Sequence, residues 1–345
     1  MAVINYQPLA ASDATTTKTL LHESIPLTGT IVSGTYGTFP DDTNIKNYTH
    51  GMFQSVYDYP YLSSSANHIF DLTVGYKSNS PLSVSAGSTM QAKKINMYNQ
   101  LSQVLLGYTG SANTVRDFEL DLNLDQTGSM KEALFVNFSR LLYKDEIKKG
   151  TVSITLGTGS WATPFSGVKT LTDASASAVQ GTTNTLGGDY GVLYDSPGRA
   201  RGIVFYQAGI VALSTSSFDS IPTFNSGAAY SYTVGQSLIS ASISGSCDAL
   251  RHRIQNIQFN NTVEINSTIY FCRAAHNKYN YSANPTYLSA SQIVVKNVAS
   301  DIPVSYITTV GLYNTNNELL ASAKLSEPLK KTPENEIVLR VRLDY

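Results

Sequence analysis

The residues whose spacing best suits a chemical site are Asp121, Asn123, Asp125 and, at the twelfth position, Glu132. Oxygen ligands at these intervals are typical of a calcium-binding helix-loop-helix loop. Such a loop needs glycine at its sixth position for a sharp turn, and this chain has Gln126 there. Acidic and apolar residues also alternate from Asp117 to Asp125, as in a strand. We therefore interpret the segment as the solvated acidic face of a strand and assign no metal ligand.

Histidine, cysteine and serine patterns supply no catalytic residue. The five histidines are His22, His50, His68, His252 and His276. No two of them have the spacing of a metal pair on one helix or strand, and the chain lacks Gly-x-Ser-x-Gly. We interpret His68 as a hydrogen-bonded structural residue and His276 as part of a polar aromatic loop. The two cysteines, Cys247 and Cys272, match no zinc or redox spacing and are expected to be core thiols.

Glycine and tyrosine patterns leave one binding alternative. Gly157–Gly159 and Gly187–Gly188 lack the lysine and the following helix of a phosphate-binding loop, so no nucleotide or other cofactor is expected. Tyrosine-lined loops at 161–165 and 277–287 could stack on the apolar faces of a sugar. Tyrosine serves equally at protein interfaces, where its apolar ring and hydroxyl are both used, and the composition favours that use. A glycan hydrolase would need two opposing carboxylates, which a single row on one strand does not provide.

The charge balance disfavours several partner classes. Lys and Arg number 24 and Asp and Glu 25, and charged residues make up 14% of the chain against about 25% in an average protein. Phosphate neutralisation dominates affinity for nucleic acids, so we expect no direct nucleic-acid partner. No apolar run is long enough to span a membrane, and the first residues do not resemble a signal peptide. A weakly charged surface with 22 Tyr favours packing against neighbouring proteins.

Apolar periodicity predicts one clear helix over about residues 89–106. Ser88 has the position of an N-terminal cap, Gln91 is its reciprocal partner, and Gly107 is a left-handed terminator. The expected core-facing stripe comprises Met90, Met97, Leu101, Val104 and Leu105. A second helix is predicted over about 234–254, although Gly245 and several serines weaken that pattern.

Alternating patterns predict strands in most of the remaining chain, and a long surface loop or a poorly packed hairpin over 157–187. The predicted strands cover residues 69–76, 117–125, 133–142, 152–156, 190–194, 202–213, 265–273, 292–298, 304–313, 319–325 and 337–345. The fold class is therefore mainly β (α+β), with antiparallel, sandwich-like sheets, one or two helices and an extended N-terminal arm. We divide the chain into this arm (1–60), an α+β region (61–160) and a β-rich region (161–345), and expect the arm to lie on a neighbouring protein.

The stretch Pro303–Lys331 resembles a hairpin that recurs in tail-fibre and collar proteins of tailed bacteriophages. In that pattern Gly-Leu-Tyr/Phe and Leu-Leu-Ala surround a tight polar turn, and Gly311–Tyr313 and Leu319–Ala321 match it. From about residue 60 to the end, the chain also resembles virion structural proteins of marine and cyanobacterial myoviruses. The segments that carry this second resemblance are Asn67–Asp71, Leu141–Gly150, Phe205–Gly209 and Ile269–Arg273.

The resemblance implies a non-enzymatic structural subunit of a virion, made in the host cytoplasm without a signal peptide. Its expected place is the tail, baseplate or neck, or a point of fibre attachment. Its expected partners are other virion proteins of those parts and further copies of itself in a homo-oligomer. The resemblance brings no catalytic, cofactor-binding or metal-binding residue. Two alternatives stay open, namely a receptor-binding tail module that holds a host glycan and a capsid decoration protein.

Overall fold

The computed structural model describes residues 6–26, 42–83, 88–109, 114–281, 288–289, 292–293, 298 and 300–345. Antiparallel strands predominate in these ranges, which confirms the mainly β (α+β) class with sandwich-like sheets. The described residues contain four α-helices, more than the one or two expected. The chain divides into two compact units: unit 1 comprises residues 1–20 and 264–345, and unit 2 comprises residues 21–263.

The described ranges contain twenty-two strands. In chain order they are β1 Ala14–Pro26, β2 Ile45–Asn47, β3 Gln54–Tyr57, β4 His68–Tyr76, β5 Phe118–Glu119, β6 Ser129–Met130, β7 Glu132–Phe138, β8 Glu146–Ile147, β9 Ser153–Gly157, β10 Val168–Thr172, β11 Thr183–Thr185, β12 Gly188–Tyr194, β13 Ala200–Phe205, β14 Ile210–Ser214, β15 Asn225–Gly227, β16 Tyr230–Tyr232, β17 Ile254–Ala274, β18 Leu288–Ser289, β19 Gln292–Ile293, β20 Ser305–Tyr313, β21 Leu319–Lys331 and β22 Ile337–Asp344. The α-helices are α1 Thr89–Leu105, α2 Arg140–Tyr143, α3 Val234–Ser240 and α4 Ile243–Arg253. Short 3-10 turns occur at Ala11–Asp13, Asp42–Asn44, Pro164–Ser166, Ala174–Ser177 and Thr215–Phe218.

Unit 2 is built on one large antiparallel sheet. From the first part of β17 the strand order is β9, β10, β12, β13, β14, β7, β4, β3 and β2. The central strand β7 is buried on both faces: Leu134 and Val136 belong to one apolar core, and Ala133 and Phe135 to another. Because successive strand residues point to opposite faces, the two cores lie on opposite sides of the sheet. Helix α1 contributes Tyr98 and Leu105 to the second core.

Helix α1 forms where it was predicted, and its predicted stripe is confirmed in part: Leu105 is buried, and Met97 and Leu101 are half-buried against the two cores. The Ser88 hydroxyl accepts the Gln91 N–H and the Gln91 side chain accepts the Ser88 N–H, both at 3.3 Å. The buried positions are Gln91, Lys94, Tyr98, Ser102 and Leu105. Val104, expected in the core, is 68% exposed. Polar side chains can face inward here because they find backbone acceptors: the Tyr98 hydroxyl donates to the Met130 carbonyl at 2.7 Å.

The second predicted helix is two helices. Helix α3 ends at Ser240, and α4 begins at Ile243 after a new N-cap, Ser242, whose hydroxyl accepts the Gly245 N–H at 3.0 Å. Ala241 between them has extended backbone angles. The 3.6-residue apolar spacing therefore runs through a break between two helices. The spacing alone does not reveal this break, which forms because Ser favours a cap over a helix interior.

Two further predictions differ from the structure, and for a third segment one of the two expected alternatives forms. The segment 117–125 is a strand only at β5, because Asp121 and Asp125 accept the N–H groups of Asn123 and Thr127 and bend the backbone. Of the loop and the hairpin expected for 157–187, a hairpin forms in part, because β10 pairs with β9. The expected arm over 1–60 contains β2 and β3, whose Ile45 and Val56 are buried.

Unit 1 contains longer ladders. The second part of β17 pairs with β22 from Ser267–Asp344 to Ala274–Ile337, and β20 pairs with β21 in a separate hairpin. The polar turn predicted at 314–317 is present, and the Asn317 N–H donates to the Asn314 carbonyl at 3.1 Å. The strands expected at 304–313, 319–325 and 337–345 are thus confirmed, and most of 292–298 lies outside the described residues.

Candidate functional site

The acidic segment forms a set of local hydrogen bonds. Glu119 is almost fully buried, and its Oε1 accepts the backbone N–H and side-chain amide of Gln126 at 2.9 and 2.7 Å. Its Oε2 has no hydrogen-bond partner among the described residues, and burial raises the pKa of this carboxyl. Glu132, the last position of the calcium-type spacing, instead accepts the Ser80 hydroxyl. No group of three potential metal-binding side chains occurs in the described part of the chain.

His68 lies beside a serine and an aspartate, but not in the order that activates a nucleophile. Asp71 Oδ1 contacts His68 Nε2 at 2.8 Å and accepts the Ser55 hydroxyl at 2.5 Å. The carboxylate thus stands between the histidine and the serine, whereas a catalytic triad places the histidine in the middle. The Tyr57 ring packs edge-on against His68 at 5.5 Å. The geometry supports the structural interpretation of His68.

The proposed sugar-binding loops are only partly described. Trp161 stacks on His252 with ring centroids 4.1 Å apart, and the His252 Nε2 contacts the Trp161 carbonyl at 2.8 Å. In the second loop, residues 282–287 lie outside the described residues, and Tyr279 and Tyr281 are exposed. The first loop belongs to unit 2 and the second to unit 1.

Buried cations are functional candidates that the sequence analysis did not identify. Lys94 Nζ donates to the carbonyls of Leu238 and Ala241, and Arg253 donates to the carbonyls of Gly159 and Thr223 at 2.7 and 2.5 Å. Burial lowers the pKa of Lys94 to about 8 and that of Arg253 to about 10. Both side chains stabilise turns and helix ends through backbone carbonyls, so their visible role is structural.

The two cysteines occupy different environments. Cys247 on α4 is fully buried, as expected of a core thiol, and burial raises the pKa of its thiol. Cys272 on β17 is only half-buried, opposite Leu339 of β22. A thiol with a raised pKa is a poor nucleophile, so neither residue points to thiol catalysis.

The most unusual surface of the molecule belongs to unit 1. Among the described residues of this unit, Ala274 is the only apolar side chain that is fully buried, whereas unit 2 has two extensive cores. On β22, Ile337, Leu339, Val341 and Leu343 alternate with exposed residues, yet each is only half-buried. Alternation of this kind normally marks a strand with one face in a core. Here that face is incompletely covered.

Four exposed apolar side chains of unit 1 lie at or against the tip of the β20–β21 hairpin, and others, among them Tyr306, Val338 and Tyr345, lie elsewhere in the unit. We define the hairpin-tip patch as Tyr6, Tyr313, Leu319 and Leu320, which are 37%, 45%, 56% and 68% exposed. Tyr313 lies directly opposite Leu319 in the ladder, and the Tyr6 ring meets the Tyr313 ring edge-on with centroids 4.9 Å apart. Grouped exposed apolar residues mark an interaction surface, whereas isolated ones do not.

Three ion pairs lie within unit 1. Ion pairs join Lys18 to Glu264 at 2.5 Å, Arg273 to Glu336 at 3.7 Å and Arg342 to Asp344 at 2.8 Å. These pairs are exposed and contribute little to stability, but they reduce the net field of the surface.

Lys331, at the base of the hairpin, is buried among oxygen acceptors. Its Nζ donates to the carbonyls of His276 and Thr332 and to the side-chain oxygen of Asn280. His276 therefore contributes a backbone carbonyl that anchors the hairpin, and no role of its imidazole is evident. The polar aromatic loop predicted around His276 covers this end of the hairpin.

None of the helices in the described ranges combines the length and apolar character that a bilayer crossing requires. In comparisons with known proteins, no family model matches the chain, and no significant match is found among curated proteins or solved structures.

Proposed function

We propose that this chain is a non-enzymatic structural subunit of a tailed-bacteriophage virion that acts through protein–protein assembly. The observation that carries the proposal is the uncovered apolar surface of unit 1. A few paired strands that bury little apolar area gain too little free energy to offset the entropy lost when the chain becomes ordered. The unit therefore requires additional apolar contact from a neighbouring surface.

The composition supports the same function. A surface poor in charge and rich in Tyr, Ser, Thr and Asn suits dense packing between subunits. The resemblance of Pro303–Lys331 to hairpins of tail-fibre and collar proteins supports a position in the tail, baseplate or neck, or at a point of fibre attachment. The hairpin with this resemblance carries the exposed patch, so the two arguments concern the same part of the chain.

The test is the solution mass of the full-length chain, measured by light scattering with and without tail, baseplate and neck proteins encoded by the same genome. We expect either a defined oligomer or a stable complex with one of these proteins. A monomer that binds none of them would contradict the proposal. Binding to a host glycan by that monomer would favour the receptor-binding alternative, and binding to the capsid surface would favour a decoration protein.

A further inference from the structure

We infer that the side chains of Lys331 and Asn280 join in a covalent isopeptide bond within this chain. Lys331 is the last residue of β21 and is fully buried, and Asn280 lies in the loop that follows β17. The Lys331 Nζ donates to the Asn280 Oδ1 at 2.8 Å. Both residues belong to unit 1, and a bond between them ties together segments that are 51 residues apart.

The loop that carries Asn280 is fixed to the base of the β20–β21 hairpin. Ser305, directly opposite Lys331 in the ladder, donates its hydroxyl to the Tyr279 carbonyl. Tyr279 has a φ of 56°, a strained conformation for a bulky residue that persists only where surrounding contacts hold it. The Asn280 Nδ2 donates to the His276 carbonyl at 2.8 Å. These contacts hold the Asn280 carboxamide against the Lys331 amine before any reaction.

The amine lies within reach of the carbon that it must attack. The carboxamide carbon of Asn280 is one C=O bond, about 1.23 Å, from Oδ1, so the Lys331 Nζ is within about 4 Å of it. Reacting atoms in a productive geometry are about 3–3.5 Å apart. A small rotation of the Asn280 side chain therefore brings the two atoms together.

The surroundings of Lys331 favour the neutral amine, which is the nucleophilic form. Burial lowers the pKa of this amine, and the negative charge of Glu336 opposes only part of that shift. A neutral amine has two N–H groups, and the carbonyls of Thr332 and His276 accept them at 2.7 and 3.3 Å. The lone pair of the nitrogen is then left for the Asn280 carboxamide.

The reaction is an amide exchange that needs no oxidant or reductant. The Lys331 nitrogen forms a bond to the carboxamide carbon of Asn280, the bond from that carbon to Nδ2 breaks, and ammonia leaves. One proton passes from the Lys331 Nζ to the departing nitrogen, and Glu336, whose charge acts on this amine, carries it. The chain as a whole loses one nitrogen and three hydrogen atoms.

The bond supplies stability where unit 1 has little core. Ala274 is the only fully buried apolar side chain among the described residues of this unit, and both cysteines of the chain are free thiols. Small cores are commonly supplemented by covalent cross-links or bound metals. A link between Asn280 and Lys331 restricts the unfolded chain as a disulfide does, and so favours the folded unit.

The experiment is intact-mass spectrometry of the full-length chain, kept folded for several days at several pH values. We expect a wild-type mass lower than that of the sequence by one ammonia, and one branched peptide that contains Lys331 and Asn280. Asn280→Ala and Lys331→Met should keep the full mass. Asn335→Ala is the matched control and should still lose ammonia, because the Asn335 Nδ2 donates instead to the Lys330 carbonyl at 3.0 Å. Thermal unfolding verifies that each variant is folded.

The role of Glu336 is tested by the rate at which the bond forms. Glu336→Gln should form the bond at least about tenfold more slowly than the wild type. Glu334→Gln removes an exposed carboxylate two residues away and should leave the rate unchanged. Equal rates in the two variants would overturn the assignment of the proton transfer to Glu336.

Two outcomes would overturn the inference as a whole. A wild type that keeps its full mass at every pH would show that Lys331 remains a hydrogen-bonded amine or ammonium group. A loss of ammonia that maps to other residues, or that persists in Asn280→Ala, would place the chemistry elsewhere in the chain. Neither outcome bears on the proposed function, because the bond forms within a single chain.

Discussion

Lys94 donates a hydrogen bond from its Nζ to the carbonyl oxygen of Leu238 at 2.5 Å. A second hydrogen bond, 2.6 Å long, joins the same nitrogen to the carbonyl of Ala241. The lysine side chain from α1 is fully buried and satisfies carbonyls at the C-terminal end of α3. It therefore links two helices that are far apart in sequence, at the cost of burying a charged group.

We predict that Lys94 makes stability depend on pH in the alkaline range. Its pKa is about 8 in the folded chain and 10.5 ordinarily. Below pH 8 the Lys94 amine is protonated in both the folded and the unfolded chain, so folding bears the full free-energy cost of burying its charge. Between the two values the unfolded chain holds more protons than the folded chain, so the free energy of unfolding rises with pH.

The comparison with Lys94→Met isolates this contribution. As pH rises from about 8 to 10.5, the free energy of unfolding of the wild type should increase by at most about 3 kcal/mol relative to that of the variant. At the alkaline end the neutral amine still donates both hydrogen bonds, so the variant should be less stable by about 1–3 kcal/mol. Urea unfolding at several pH values measures both quantities. Parallel pH profiles for the two proteins would contradict the prediction.

Gly75 of β4 provides a test of the packing between this strand and α1. A Cβ at this position would stand 2.7 Å from the Lys94 carbonyl oxygen and 2.9 Å from the Tyr98 backbone nitrogen. Because these neighbours are backbone atoms, Gly75→Ala should destabilise the chain by about 1–3 kcal/mol or more. In Gly235→Ala, the new Cβ would only touch a Leu82 methyl group at 3.5 Å. Equal thermal unfolding temperatures for the two variants would show that α1 does not pack closely on β4.

The buried face of α1 can be tested with a pair of neighbouring positions. Ser102 is fully buried and donates to the Arg116 carbonyl, whereas Val104 is 68% exposed. We expect Ser102→Leu to cost about 1–3 kcal/mol through overpacking and loss of the hydrogen bond. Val104→Glu should change stability by less than about 0.5 kcal/mol. Chemical denaturation would give the reverse order of stability if Val104, and not Ser102, faced the core.

Asp173 connects three parts of unit 2 through one buried carboxylate. It accepts the N–H groups of Gly150 and Val152, both at 2.8 Å, and the hydroxyl of Tyr206 at 2.9 Å. Asp173→Asn would turn an amide N–H₂ toward at least one of these donors, and should cost about 2 kcal/mol or more. Tyr206→Phe removes one donor only, and should cost about 1 kcal/mol. If urea unfolding showed an equal loss of unfolding free energy in both variants, the carboxylate of Asp173 would not connect these three donors as described.

Local sequence signals were sufficient where the determining contacts are close in the chain. The reciprocal Ser88–Gln91 hydrogen bonds and the positive φ of Gly107 delimit α1 nearly as predicted. The turn at 195–198 also forms, with the Gly198 N–H donating to the Asp195 carbonyl at 2.5 Å. Such signals depend on backbone conformations that a few adjacent residues impose, and they require no knowledge of the remaining fold.

The same local rules failed where a distant group decides which side chain is buried. Lys94 and Tyr98 face inward because they donate hydrogen bonds to the backbone carbonyls of Leu238 and Met130. No spacing in the sequence indicates where those acceptors lie. Asp121 bends a segment whose alternation resembles a strand, since its carboxylate accepts a nearby N–H. No candidate site residue was predicted, and the hairpin-tip patch is evident only from the side-chain exposure in the tertiary structure.

By itself the sequence determined the mainly β class, the first helix and the turns of the later hairpins, because propensity, capping and alternation act over a few residues. Only the tertiary structure decided that the alternating apolar residues of β22 are half-buried, whereas those of β7 lie in two cores. The physical reason is that alternation records which side chains share a face, but not what covers that face. Coverage depends on long-range packing, which in unit 1 leaves Tyr313 and Leu319 exposed.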